Sequence, residues 1–193
     1  WPAPALIKES DAAMISCLQS GAIELDDVEH SLLILDFGGG TCDFTLAENS
    51  DILHCGGDRL LGGRLFDDLI FQLFCRHNPD LLEQVQADGC EYYVHWVLCK
   101  AEKERFSKIL QQDVNSAVSL HLSWFDAQGK QKHAYLHELT WQHMVSAAES
   151  YTASPSLLDM LRQYANRGAL GAVAADMLQG RQVGLIAWFK DIL

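Results

Sequence analysis

The residues of this chain best suited to chemistry gather between Ser31 and Leu46, which reads Ser-Leu-Leu-Ile-Leu-Asp-Phe-Gly-Gly-Gly-Thr-Cys-Asp-Phe-Thr-Leu. Gly38, Gly39 and Gly40 let the backbone take positive φ and carry its N–H groups close to a ligand. The flanking Asp36 and Asp43 supply hard oxygen donors for a hydrated divalent cation. These residue types suit a phosphate held with magnesium, and they equally suit an ordinary glycine-rich hairpin turn. A second pair, Gly62-Gly63, stands just ahead of an apolar-periodic run. There, free N–H groups and the positive end of a helix dipole favour phosphate, or the pair closes a loop tightly onto the helix. Glu102 and Arg105, three apart on a helical stretch, share a face and can reach either one ligand or each other. His133 and His137 are four apart and His143 follows. The pattern is not H-E-x-x-H and no cysteine is near, so solvated or core histidines are expected rather than a metal site.

The elements that must position these residues follow from periodicity. Apolar residues up to Asp36, the glycines, and alternation from Cys42 read as strand, tight turn, strand, and Asp51 to Cys55 reads as another strand. Leu6 to Leu18 suggests a strand end and then a helix with Ser10 or Asp11 near its N-cap. Gly21 to His30 is polar and reads as a surface loop. Leu65, Phe66, Leu69, Ile70, Leu73 and Phe74 recur at three and four, a helix to Arg76 stopped by Asn78-Pro79-Asp80. Its stripe is assigned to the core and to no site. A second helix covers Tyr92 to Leu110. Val114 to Phe125, a turn at Asp126 to Lys130 and a strand ending near Tyr135 form a hairpin. Leu136 to Tyr151 and Leu157 to Tyr164 read as helices separated by Ser154-Pro155. The small residues from Ala169 to Gly180 suit a helix lying close against a sheet.

Composition limits the partners. The 193 residues, 49% of them hydrophobic, suffice for one folded domain or two small subdomains. Fourteen Lys and Arg against 26 Asp and Glu leave a net charge of −12, which disfavours nucleic acid and anionic membrane surfaces. Six cysteines without a C-x-x-C pair fit a reducing compartment, and the cytoplasm is expected. No apolar run is long enough to span a bilayer.

Asp36-Phe37-Gly38-Gly39-Gly40-Thr41-Cys42-Asp43 resembles the D-L-G-G-G-T-F-D second phosphate signature of the DnaK-type heat-shock chaperones, the seventy-kilodalton family. Upstream, Ile7-Lys8-Glu9-Ser10-Asp11-Ala12-Ala13-Met14-Ile15 is similar to the family's I-N-E-P-T-A-A-A-I, with Ser10 and Asp11 replacing proline and threonine. Downstream, Gly57-Asp58-Arg59-Leu60-Leu61-Gly62-Gly63-Arg64-Leu65-Phe66-Asp67 resembles G-D-x-x-L-G-G-x-x-F-D. Cys99 to Ser107 resembles the helix A-E-K-A-K-x-x-L-S, in which the family's serine falls on Ile109, with Ser107 nearby. Ala169 to Gly180 resembles A-x-G-A-A-x-x-A-x-I-L-x-G, and Ala175-Asp176-Met177-Leu178 leans towards the iron–sulfur assembly branch.

The resemblance implies an α/β chain: an actin-like ATPase (ribonuclease H-like) lobe with a small α+β subdomain. Within it, 31–76 would be a phosphate-hairpin core, 77–150 a helical and β-hairpin subdomain, and 151–193 closing helices. The implied cofactors are ATP or ADP with Mg2+. Asp36 and Thr41 take the catalytic positions. Gly38, Gly39, Gly40, Thr41, Gly62, Gly63, Glu102 and Arg105 take the nucleotide-binding ones, and Asp36, Asp43 and Glu9 the metal ones. Unfolded polypeptides and co-chaperones are the implied partners, with no nucleic acid and no membrane. The family's first phosphate hairpin D-x-G-T-T-N-S, its catalytic lysine and its G-G-S-T-R-I-P adenine loop do not occur. A fragment or shortened paralogue with little ATPase activity of its own is therefore expected. Two other readings remain: a degenerate chaperone-like interaction module without nucleotide, and an actin-fold small-molecule kinase.

Overall fold

A computed structural model describes residues 9–49, 51–165, 170–181 and 183–193. The chain is mixed α/β with two small antiparallel sheets. It divides into two compact units, the first 1–62 with 191–193 and the second 63–190. The expected hairpin core 31–76 is thus shared between them.

The first unit is built on a three-stranded meander of β1 (Leu32–Phe37), β2 (Cys42–Glu48) and β3 (Asp51–Asp58). The alternating apolar pattern and the glycine tip dictate the hairpin, and the register pairs Asp36 with Asp43 and Phe37 with Cys42. β3 runs three residues further than its apolar stretch, to Asp58. Before the sheet come α1 (Glu9–Ser20), which packs on β1, and α2 (Leu25–Glu29), which packs on β2. The expected strand end at Leu6 lies outside the described residues. The expected loop from Gly21 to His30 instead contains α2. Its turn closes because Asp27 accepts the Glu24 N–H at 2.8 Å, and Asp26 and Asp27 suit the positive end of the helix. The central strand buries Cys42, Phe44, Thr45 and Ala47, while Leu33, Leu35 and Phe37 on β1 are 48%, 46% and 42% exposed.

In the second unit, α3 (Gly63–His77) packs on β5 (Gln131–Leu139), the strand paired with β4 (Val118–Phe125), and on the helices around them. Leu69, Ile70 and Phe74 of α3 are buried, as are Leu120, Leu122, Trp124 and Leu136 on the sheet. After α4 (Leu81–Ala87) a helical run opens with π-helical turns at Tyr93–Leu98 and continues as α5 (Cys99–Gln112), which lies on β4. The turn from Asp126 to Lys130 closes as expected, with Asp126 Oδ1 accepting the N–H groups of Gln128 and Lys130.

The expected helix beginning at Leu136 starts later, as α6 (Trp141–Glu149), because β5 extends to Leu139. A bulge explains the misreading: Leu120 pairs with Leu136 but Val118 pairs with Leu139, so an i, i+3 apolar spacing occurs inside a strand and mimics a helix. Pro155 opens α7 (Pro155–Ala165), and α8 (Leu170–Gly180) packs on α7 rather than on a sheet. Arg162 holds that pair together, lying 3.6 Å from Asp176 and donating to Gln179. The last element is α9 (Leu185–Ile192).

Candidate functional site

Seven of the candidate residues gather at one end of the first unit's sheet. The Gly38 N–H donates to Thr41 O at 2.9 Å and closes the β1–β2 tip. The N–H groups of Gly39 and Gly40 form no hydrogen bond among the described residues. Gly62, far along the chain, is buried against this tip: a Cβ on it would meet Gly40 C and Thr41 N at 2.5 Å. Only a glycine permits that approach. The two glycine motifs read separately in the sequence therefore meet in space. Asp58 aims the connecting loop by accepting the N–H groups of Leu60 at 2.7 Å and Leu61 at 3.1 Å.

Asp36 and Asp43 stand directly opposite each other, both exposed, on the same face of the hairpin. Like charges so placed destabilise a strand pair. Asp43 is further fixed because its carboxylate lies over Gly57, where a Cβ would approach Oδ1 to 2.5 Å. Cys42, buried between them in sequence, has its thiol pushed up by burial and then by Asp43, Asp58 and Asp36. It is a core group rather than a nucleophile.

The second unit holds Gly63, Glu102 and Arg105. The Arg105 guanidinium bonds Glu102 at 2.8 Å and the Ser119 carbonyl at 2.6 Å, and Glu102 also accepts the His121 N–H at 3.1 Å. The pair thus ties α5 to β4. Beside it, Lys103 donates to Gly63 O at 3.1 Å and lies 2.6 Å from Asp67. Burial raises the Asp67 carboxyl above its usual range against the pull of that ammonium. Lys103 follows Glu102 directly and so lies on the neighbouring helix face, where spacing alone gives it no partner. The side chain of Glu9 lies outside the described residues.

The second unit also contains a buried polar network that the sequence did not reveal. Asp68 is fully buried in α3 and takes hydrogen bonds from Tyr151 Oη at 2.7 Å, Ser154 N at 3.0 Å, Gln72 Nε2 at 2.9 Å and the Ser154 hydroxyl. His95 Nε2 lies 3.1 Å from Asp68 Oδ1, so the imidazole edge faces the carboxylate. Ser156 Oγ donates to Glu91 at 2.5 Å, which leaves it to accept from His95 Nδ1 at 3.2 Å. Burial alone would raise the Asp68 carboxyl. The His95 ring and the Ser154 donors outweigh it and hold the group below its ordinary value. Tyr151 is pushed up by burial and by Asp68, so its hydroxyl remains a donor. This Asp, His and Ser chain is sealed in the core, with Asp68 and His95 fully buried, and acts as a brace between α3, the π-helical turns and α7.

Among the described residues no group of three or more His, Cys, Asp or Glu is disposed to hold a metal ion, and no helix is long and apolar enough to cross a membrane. No protein-family model matches the chain.

Proposed function

We propose that the first unit carries the phosphate-and-magnesium hairpin of a DnaK-type ATP-binding lobe with an actin-like fold. In the cytoplasm the whole protein would then couple nucleotide state to the handling of unfolded polypeptides with co-chaperones. The seat of Gly62 on Gly40 and Thr41 carries this reading. It unites two glycine segments at a tip where the N–H groups of Gly39 and Gly40 form no hydrogen bond among the described residues, as a phosphate cradle requires.

The opposed carboxylates fit the donor set of magnesium, which keeps most of its waters and takes one or two carboxylates beside the phosphates. Asp36 and Asp43 would hold the ion through those waters. Once bound, it neutralises phosphate charge. The N–H groups of Gly39 and Gly40 and the Thr41 hydroxyl would donate to phosphate oxygens. Binding is expected to be weak and hydrolysis slow, because phosphoryl transfer depends on several clamps acting together and Glu102 and Arg105 are engaged with β4.

Calorimetric titration of the chain with magnesium ADP tests the proposal. Saturable heat that disappears in Asp36→Asn supports it, and absence of heat from the unaltered chain sinks it. The latter outcome favours a second reading, an interaction module without nucleotide. The exposed Leu33, Leu35 and Phe37 and the engagement of the Glu102–Arg105 pair speak for that alternative.

A further inference from the structure

A cleft of about 240 Å³ opens between the C-terminal turn of α3, the end of β5 and α6. Its floor is apolar, with Leu73, Leu136 and Leu139 contributing, and its polar lining is Arg76, His77, His137, His143 and two serines. In a chain of net charge −12 this cleft is lined by no carboxylate. We propose that it binds a small oxyanion, a phosphate or carboxylate group, through Arg76 and the three imidazoles.

Three observations converge on this. The Arg76 guanidinium has no ion pair or hydrogen bond among the described residues, so its planar fork of donors is available for an oxyanion. Two of the imidazoles have defined donor roles. His143 Nδ1 accepts the Thr140 N–H at 3.4 Å, which places the proton of the neutral ring on Nε2 as a donor. His77 Nδ1 donates to Leu73 O at 2.9 Å, leaving its Nε2 to become a donor when the ring protonates.

The backbone also departs from regularity at this spot. In a regular strand Leu136 and Leu139 would face opposite sides, yet both line the cleft together with His137. The bulge brings them together, and Glu138 takes the left-handed conformation, φ 53°, to make it. A non-glycine residue held there stores strain, a recurrent feature of ligand sites. Arg76 and His77 also suit the negative end of α3. That role explains neither the bulge nor the gathering of His137 and His143 in the same cleft.

The titratable and charged groups of the lining are Arg76 and His77 from α3, His137 from β5 and His143 from α6. Protonation of an imidazole adds a donor and a positive charge, so binding is expected to strengthen at lower pH.

The test is an NMR titration of the full chain, with inorganic phosphate in one arm and butyrate in the other, following the imidazole signals. The expected result is a saturable shift of His77, His137 and His143 that leaves His121 and His133 unmoved. Tighter phosphate binding would indicate a phosphoryl ligand, and tighter butyrate binding a carboxylate with an apolar body. Arg76→Gln, at an exposed position, should weaken binding at least about tenfold, in line with the loss of a charge-assisted hydrogen bond. Arg76→Lys should weaken it less. Equal affinity in Arg76→Gln, shifts shared with His121 and His133, no saturation by either anion, or displacement of the same signals by stoichiometric zinc alone would each overturn the proposal.

Discussion

Asp36 and Asp43 in the first unit and Asp68 in the second are carboxylates treated in opposite ways. The first two stand exposed, opposite one another across a strand pair, and neither forms an ion pair among the described residues. Asp68 is fully enclosed, and its oxygens take four hydrogen bonds and face one imidazole. An exposed, mutually repelling pair contributes nothing to its own fold and is free to meet a ligand. A buried, saturated carboxylate has no capacity left for one and serves cohesion instead. The Asp, His and Ser chain behind Asp68 therefore has the residue types of a hydrolytic site but neither the access nor a free acceptor.

The contrast is broken most forcefully at Asp68. Replacing it by Ala should cost about 3–5 kcal/mol, the usual penalty for leaving a buried partner uncompensated, measured as a fall in the denaturant midpoint at constant slope. Its pH signature follows from the direction of the shift. Since the folded carboxyl lies below its ordinary value of 3.8, its stabilisation is complete above that value and is lost as pH falls through the folded one. Asp67, raised by burial, acts with the opposite sign, its contribution lost as pH rises through its raised value. The acid limb of the stability profile should thus be steeper in the unaltered chain than in Asp68→Asn. Equal limbs would remove Asp68 from its bracing role.

A smaller effect is expected at Gly62. A methyl group there must push the tip away, at about 1–3 kcal/mol for overpacking, and should reduce magnesium ADP binding more than it reduces the thermal midpoint. A Gly62→Ala chain that binds as before would separate the tip from the proposed phosphate cradle. The smallest effect sharpens the comparison from the other side. Asp43→Asn relieves the cross-strand repulsion and should stabilise the ligand-free chain by about 0.2–1 kcal/mol while weakening magnesium-dependent binding. A loss of stability would mean that the pair is structural after all.

Much of the fold was legible because it is local. The glycines between Asp36 and Asp43, the apolar stripe of α3 and the Asp126 turn are decided by neighbours within a few residues, and each stands as expected. The helix misplaced at Leu136 failed because a bulge, which depends on the partner strand, changes the period of the pattern. The brace had one legible trace. Asp68 lies three residues after Leu65 and five before Leu73, on the core-facing side of an otherwise apolar stripe. A carboxylate on such a face needs partners, and nothing in its vicinity names them.

The sequence by itself thus determined the hairpin, its bare tip and the acidic residues beside it, because glycine conformation and period-two alternation are properties of short stretches of chain. Tertiary structure alone decided that Gly62 seats on Gly40. It also decided that Glu102 and Arg105 join α5 to β4, and that Asp68 finds His95, Tyr151 and Ser154. The reason is physical: burial and hydrogen-bond partnership depend on side chains brought together by packing across 14 to 86 positions of chain, a distance over which spacing carries no signal.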